Sequence, residues 1–154
     1  MSKPKAATKS AMFQELAEKT QLSRAEIRDQ VMQVLEQVGL NGMEQKFPSE
    51  MSGGMQKRAA LARALVHHPK ILMLDEPASG LSPGERTLLT DLLLALDREI
   101  TLILIEHDMD VALRVAERVT MMHDSRVIVE GTPDEIRANE LVHDLYLGTG
   151  FRNE

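Results

Sequence analysis

Three clusters in this chain carry side chains with chemistry to offer. Ile71-Leu72-Met73-Leu74 is an apolar run ending in Asp75-Glu76. Two carboxylates therefore sit at the carboxyl end of a predicted strand, the edge at which open α/β sheets bind ligands. Where a nucleotide is hydrolysed, the first acid of such a pair can hold Mg²⁺ and the second can polarise the attacking water. Ser52-Gly53-Gly54 opens a run rich in Ala, Leu and Arg. Glycines at a helix start leave backbone amides unobstructed, and the positive end of the helix dipole faces any anion that docks. A serine hydroxyl adds one more donor. His107 follows a second apolar run, Ile100 to Ile105, and from that edge its ring can donate to a phosphate oxygen. Each cluster alone has a plain structural alternative: a solvated strand end, a helix cap on a flexible loop, a satisfied structural histidine. His67, His68, His123 and His143 have no metal-ligand spacing with any acid and read as structural or exposed.

The elements that must position these groups alternate. Ser23 and Glu26 form a capping box, with Leu22 and Ile27 at the staple positions around it. Ile27, Val31, Val34, Leu35 and Val38 then recur at helical spacing until Gly39 stops the helix. A shorter helix from Met12 to Lys19 precedes it. Phe47 to Glu50 is a loop, and a helix over Gln56 to Val66 closes before Pro69. The strands at Ile71 and at Ile100 to Ile105 read as buried on both faces. Between them Ser82-Pro83-Gly84-Glu85 starts a helix that turns Leu88, Leu89, Leu92, Leu93 and Leu96 inward and ends near Arg98. Asp108 caps a helix running to Glu117. A hairpin over Val119 to Met122 and Arg126 to Glu130 turns at Asp124-Ser125. Thr132-Pro133-Asp134-Glu135 repeats the cap, proline and acid device before a helix to Ala138, and a last helix covers Glu140 to Leu147. Helices, then strand, helix, strand, helix and hairpin, make an α/β order with a helical section in front.

Composition narrows the function classes. The chain has 154 residues, enough for one domain with its own core, with 18 basic and 24 acidic side chains for a net charge of −6. That balance argues against a general nucleic-acid binder. There is no cysteine, so disulfides and thiolate metal sites are excluded. The longest apolar run, Leu92 to Leu96, falls far short of the roughly 20 residues of a membrane helix, so no direct membrane insertion is expected. Met1 to Gln14 lacks an apolar signal-peptide core, and residues 1–11 read as a disordered tail.

Taken in order, Met51-Ser52-Gly53-Gly54-Met55-Gln56-Lys57-Arg58, Ile71 to Pro77, Ser79-Gly80-Leu81-Ser82-Pro83 and Ile105-Glu106-His107-Asp108 resemble the ATP-binding-cassette (ABC) ATPases. The resemblance covers residues 22 to 147. It implies that Ser52, Gly53, Gly54, Met55 and Gln56 are the signature motif, which touches ATP. It makes Ile71 to Glu76 the Walker B strand, with Asp75 toward Mg²⁺ and Glu76 as catalytic carboxylate. Ser79 to Ser82 become the D-loop, with Ser82 among the nucleotide-binding residues, and His107 the switch histidine. Glu130 to Ile136 resembles the family's segment after the hairpin. Met51 to Ala64 is most similar to importers that move lipids between envelope membranes, and Asp75 to Met109 to branched-chain amino-acid importers.

There are departures. The signature's usual opening Leu and closing Gln are Met51 and Met55, with glutamine one place later at Gln56, and the D-loop aspartate is Ser82. No Gly-Lys pair occurs in the 154 residues, so no G-x-x-x-x-G-K-[ST] phosphate loop can be drawn. In the family that loop and the Q-loop precede the helical section; Gln14 and Gln21 match the latter by letter only. The expectation is a partial P-loop NTPase fold, α/β, with a helical subdomain over 12–66 and part of the ATPase core over 67–154. By resemblance it is the carboxyl-terminal part of a transporter's ATP-binding subunit, truncated and inactive alone. It would be cytoplasmic, held at the inner membrane by a permease, and paired head to tail with a second ATPase subunit. Two other readings remain: a non-catalytic module docking on a permease or partner ATPase, and an ABC ATPase outside transport.

Overall fold

Local capping decides where the first helix begins and ends. The computed structural model describes residues 23–142, and the chain divides into two compact units between His68 and Pro69. In the first unit Ser23 Oγ accepts from the Glu26 amide at 3.2 Å while the Glu26 carboxylate accepts from the Ser23 amide at 2.7 Å. This is the predicted capping box, and α1 (Arg24–Gln37) follows it. At the other end the Gly39 amide donates to Glu36 O at 2.9 Å and the Leu40 amide to Leu35 O at 2.8 Å. That is a Schellman motif, and it needs the left-handed backbone that Gly39 supplies at φ +65°. Val38 and Leu40, on either side of Gly39, are both buried. Ile27 and Val34 are buried as predicted, whereas Val31 lies on the exposed side. After a single 3-10 turn at Pro48–Glu50, α2 (Gly53–Leu65) begins three residues before the predicted start, because Ser52 caps it. Leu61, Ala62 and Leu65 form its buried face.

The second unit holds two small sheets. β1 (Ile71–Asp75) and β2 (Thr101–Ile105) pair in parallel, from Ile71 opposite Thr101 to Asp75 opposite Ile105. They are joined through α3 (Pro83–Leu94), which the Ser82–Glu85 capping box starts. Burial of both strands on both faces does not hold. Leu72 is buried, but Ile71 is 60% exposed, Met73 68%, Ile103 43% and Ile105 55%. These four share one face of a sheet that has only two strands among the described residues, and no described element covers that face. In α3, Leu89 and Leu93 point inward, while Leu88 is exposed, and the helix ends at Leu94 rather than near Arg98.

Asp108 caps α4 (Met109–Val115), two residues shorter than predicted. The hairpin pairs β3 (Val119–His123) with β4 (Arg126–Gly131) through Asp124 and Ser125, both at positive φ, with a bulge at Met121/Met122. Its turn has the backbone twist that suits two-residue hairpins. Thr132 and Glu135 then box the start of α5 (Pro133–Arg137), followed by α6 (Glu140–Val142). Leu113, Met121, Ile136 and Val142 are the buried centre of this part. The predicted tail, the helix at Met12 to Lys19, Leu22 and the last helix beyond Val142 lie outside the described residues. Among the described residues no helix is long and apolar enough to cross a membrane.

Candidate active site

At the end of β1 the chain changes direction at Glu76. Asp75 is the last strand residue, and the Glu76 amide donates to Ile105 O at 2.8 Å. Glu76 itself has φ +45°, a left-handed conformation that non-glycine residues seldom adopt. Its Oε1 lies 3.3 Å from His107 Nδ1, both side chains being more than half exposed. Parallel pairing thus places Asp75, Glu76 and His107 at one carboxyl-end edge. The turn beyond is closed by the Ser79 amide donating to Glu76 O (3.1 Å) and the Leu81 amide donating to Ala78 O (3.2 Å), with Gly80 at φ +70°. It delivers Ser82, whose hydroxyl donates to Glu85 Oε2 at 2.8 Å and accepts from the Glu85 amide at 3.4 Å. Ser82 therefore helps to cap α3.

His107 is held through its neighbours. Glu106 Oε1 accepts from the Ala78 amide at 2.6 Å, and Oε2 from the Asp108 amide at 3.5 Å. Asp108 accepts from the Val111 amide at 3.2 Å and forms an ion pair with the Arg86 guanidinium. Burial raises the Asp108 pKa, but the hydrogen bonds from Arg86 and Val111 outweigh it, so the carboxyl titrates below its ordinary value. Glu106 and Arg86 were missed as site residues. Glu106 is one letter before the histidine, but its partner is 28 positions away, a distance no local pattern reports.

The other predicted residues gather at the start of α2 in the first unit. Ser52 Oγ accepts from the Met55 amide at 3.2 Å, and a Cβ added at Gly53 would meet nothing within 4 Å. Ser52 and Gly53 are exposed, Gly54 is buried and Met55 half-buried. Gln56, expected by resemblance as the last residue of the signature motif, turns its amide group onto the loop, donating to Pro48 O at 2.9 Å and Met51 O at 3.2 Å. Its role here is to hold the segment that precedes the cap. Arg58, also missed, donates from Nη1 to Val38 O (3.1 Å) and Gly39 O (2.9 Å) and so ties α2 to the end of α1.

A family model described as "ABC transporter" matches residues 3–79, half of the chain. The chain belongs to the ABC transporter family. A second model, described as "Branched-chain amino acid ATP-binding cassette transporter", matches residues 126–152. Among curated relatives, this family member is 42% identical over 120 residues to the glycine betaine transport ATP-binding protein OpuAA of Bacillus subtilis, covering 77% of this chain and 29% of that protein. It is 41% identical over 133 residues to the glycine betaine/proline betaine ATP-binding protein ProV of Escherichia coli, covering 85% and 33%. It thus spans a third or less of these relatives' lengths. Among solved structures, cbiO1 of Clostridium perfringens, part of the ABC transporter complex cbiONQ, matches with a TM-score of 0.73 and 33% identity over 89% of this chain and 56% of that one. An ATP-binding cassette of an ABC transporter in its ADP conformation matches at 0.71 and 28%, over 80% and 50%. The fold is therefore part of the ABC-type P-loop NTPase fold.

Proposed function

We propose that these 154 residues are the signature and Walker B portion of an ATP-binding subunit that couples ATP hydrolysis to transport through a permease at the inner membrane. The supporting observation is the Glu76–His107 pair at the carboxyl edge of β1 and β2, beside Asp75. On this reading Glu76 polarises the attacking water, and His107 donates to the phosphoryl group being transferred. Asp75, exposed at the end of β1, would offer Mg²⁺ one carboxylate, and that ion keeps several waters and takes one or two carboxylates together with substrate phosphates. Bound Mg²⁺ would neutralise charge developing on the phosphate oxygens.

The start of α2 would act on ATP held by a second subunit. Met55's amide is satisfied by its own cap, so the contacts would come from Ser52 and from the amides of Gly53 and Gly54, with open space at Gly53. Because the chain contains no Gly-Lys pair, the cradle for the β- and γ-phosphates must be supplied by other residues. Phosphoryl transfer rests almost wholly on positioning and charge stabilisation, so these residues alone should not turn over ATP. The cargo is not set by the similarity: relatives of near-equal identity are named for glycine betaine, spermidine/putrescine and methionine transport.

The test is co-purification of this chain with a complete cassette subunit of the same system, with and without ATP. ATP-dependent pairing is expected, weakened by Ser52→Arg, which puts a bulky cation at the cap, and unchanged by Lys70→Ala. Pairing that ignores ATP, or none at all, would reject the trans-acting role.

A further inference from the structure

Both neighbours of His107 in the chain are tied to one other segment. Glu106 reaches the Ala78 amide, in the turn that follows Glu76, and Asp108 reaches Arg86, in the first turn of the helix that Ser82 caps. Besides the Glu76–His107 contact itself, the histidine loop is thus tied on one side of the ring to the turn and on the other to the helix that follows it. We infer that Glu106 is a positioning residue that makes the turn Glu76–Ser82 and the loop Glu106–Asp108 one mechanical unit, so that displacement of the turn is passed to His107. This rests on the proposed roles of Glu76 and His107 for its functional meaning, but its physical content is independent of nucleotide.

Three observations carry it. Ala78 is buried, at 4% exposure, so its amide has little access to water as a substitute partner. The bond it makes is short, 2.6 Å, and charge-assisted. The same carboxylate also accepts from the Asp108 amide at 3.5 Å, so one side chain spans both segments. Glutamate has the length for this together with two acceptor oxygens; glutamine keeps one acceptor and places an NH₂ group where the other stood. Asp108 is directed elsewhere, its carboxylate accepting from the Val111 amide and from Arg86.

The experiment perturbs the turn and reads the histidine in the 154-residue chain, without ATP. Gly80 has φ +70°, so Gly80→Ala strains the turn while its Cβ would meet nothing within 4 Å. Amide resonances of His107 and Asp108 should shift on Gly80→Ala in the wild-type background and shift clearly less in the Glu106→Leu background, where only the Asp108–Arg86 and Glu76–His107 contacts still join the two segments. Exchange of the Ala78 amide should rise about tenfold in Glu106→Leu, the loss of one charge-assisted bond. Glu106→Gln, which keeps the fold if leucine does not, should show an intermediate rise and a reduced shift. Equal shifts at His107 with and without Glu106, or Ala78 exchange unaltered by either variant, would overturn the coupling. Failure here leaves ATP-dependent pairing untouched, and failure of pairing leaves the coupling untouched, so the two claims separate.

Discussion

Truncating Arg58 to alanine should loosen the first unit at one place, the end of α1. Its Nη1 donates to Val38 O at 3.1 Å and to Gly39 O at 2.9 Å, carbonyls at a helix end that need partners from outside the helix. A hydrogen bond to a charged group contributes about 1.5–3 kcal/mol. Both bonds here share one nitrogen, and Arg58 is only half-buried, so water replaces part of what is lost. A cost of about 1–2 kcal/mol follows, roughly one bond rather than two. Gly39 makes the claim sharper. A Cβ there would lie 3.2 Å from Arg58 Nη1, on a residue at φ +65°. Gly39→Ala should therefore cost the left-handed penalty of about 1–2 kcal/mol and also push the guanidinium off its carbonyls. In the double variant there is no guanidinium to push, and only the backbone penalty adds. The double should fall short of the sum of the singles by about 1 kcal/mol, beyond the roughly 0.3–0.5 kcal/mol scatter of independent sites. Amide exchange at Val38 and Leu40, whose N–H groups are held by Val34 O and Leu35 O, reads the opening energy of this end directly. Strict additivity would show that Arg58 and Gly39 do not share the work and would refute the reasoning.

Two further outcomes are expected. Because the folded Asp108 pKa is depressed, its contribution is present above the ordinary carboxylate range and is lost as pH falls through the folded value. Urea midpoints should drop from about pH 5 downward, and Asp108→Asn should flatten that slope; an unchanged slope would remove the Arg86 pair from the account. The open face of Ile71, Met73, Ile103 and Ile105 should drive self-association. Met73→Lys should raise the monomer fraction in sedimentation velocity while shifting stability by less than about 0.5 kcal/mol, and equal association would show that the contact surface lies elsewhere.

What could be read from the letters was what is decided within a few residues. Ser23 with Glu26, Ser82 with Glu85 and Thr132 with Glu135 each close their own box, so three helix starts were legible. Asp75, Glu76 and His107 were legible as a group because parallel pairing of two apolar runs brings their ends together. Face burial was not. Alternate residues of Ile71 to Leu74 are chemically alike, and only the neighbours of a strand decide which of them meet water. Thr90 shows the same limit from the other side. It is 1% exposed, and its hydroxyl turns inward to donate to Arg86 O at 2.8 Å, where composition alone would have put it at the surface. Glu106 and Arg58 escaped because each acts on a carbonyl or amide far along the chain, and a backbone group has no letter of its own.

The conformation of Glu76 sets two adjacent acids on different evolutionary footings. Asp75 sits in ordinary strand geometry, where many residues are comfortable. Glu76, at φ +45°, occupies a backbone state for which glycine or asparagine is the easier tenant, by about 1 kcal/mol or more. Strain of this kind clusters at functional sites, and the role proposed for the Glu76 carboxylate would be what keeps glutamate there. In a lineage released from hydrolysis, thermal selection would press on position 76 and leave position 75 to drift. If Glu76 has the role proposed for it, the first trace of lost activity would then be a slightly more stable protein, with that acid replaced by the residue the turn prefers.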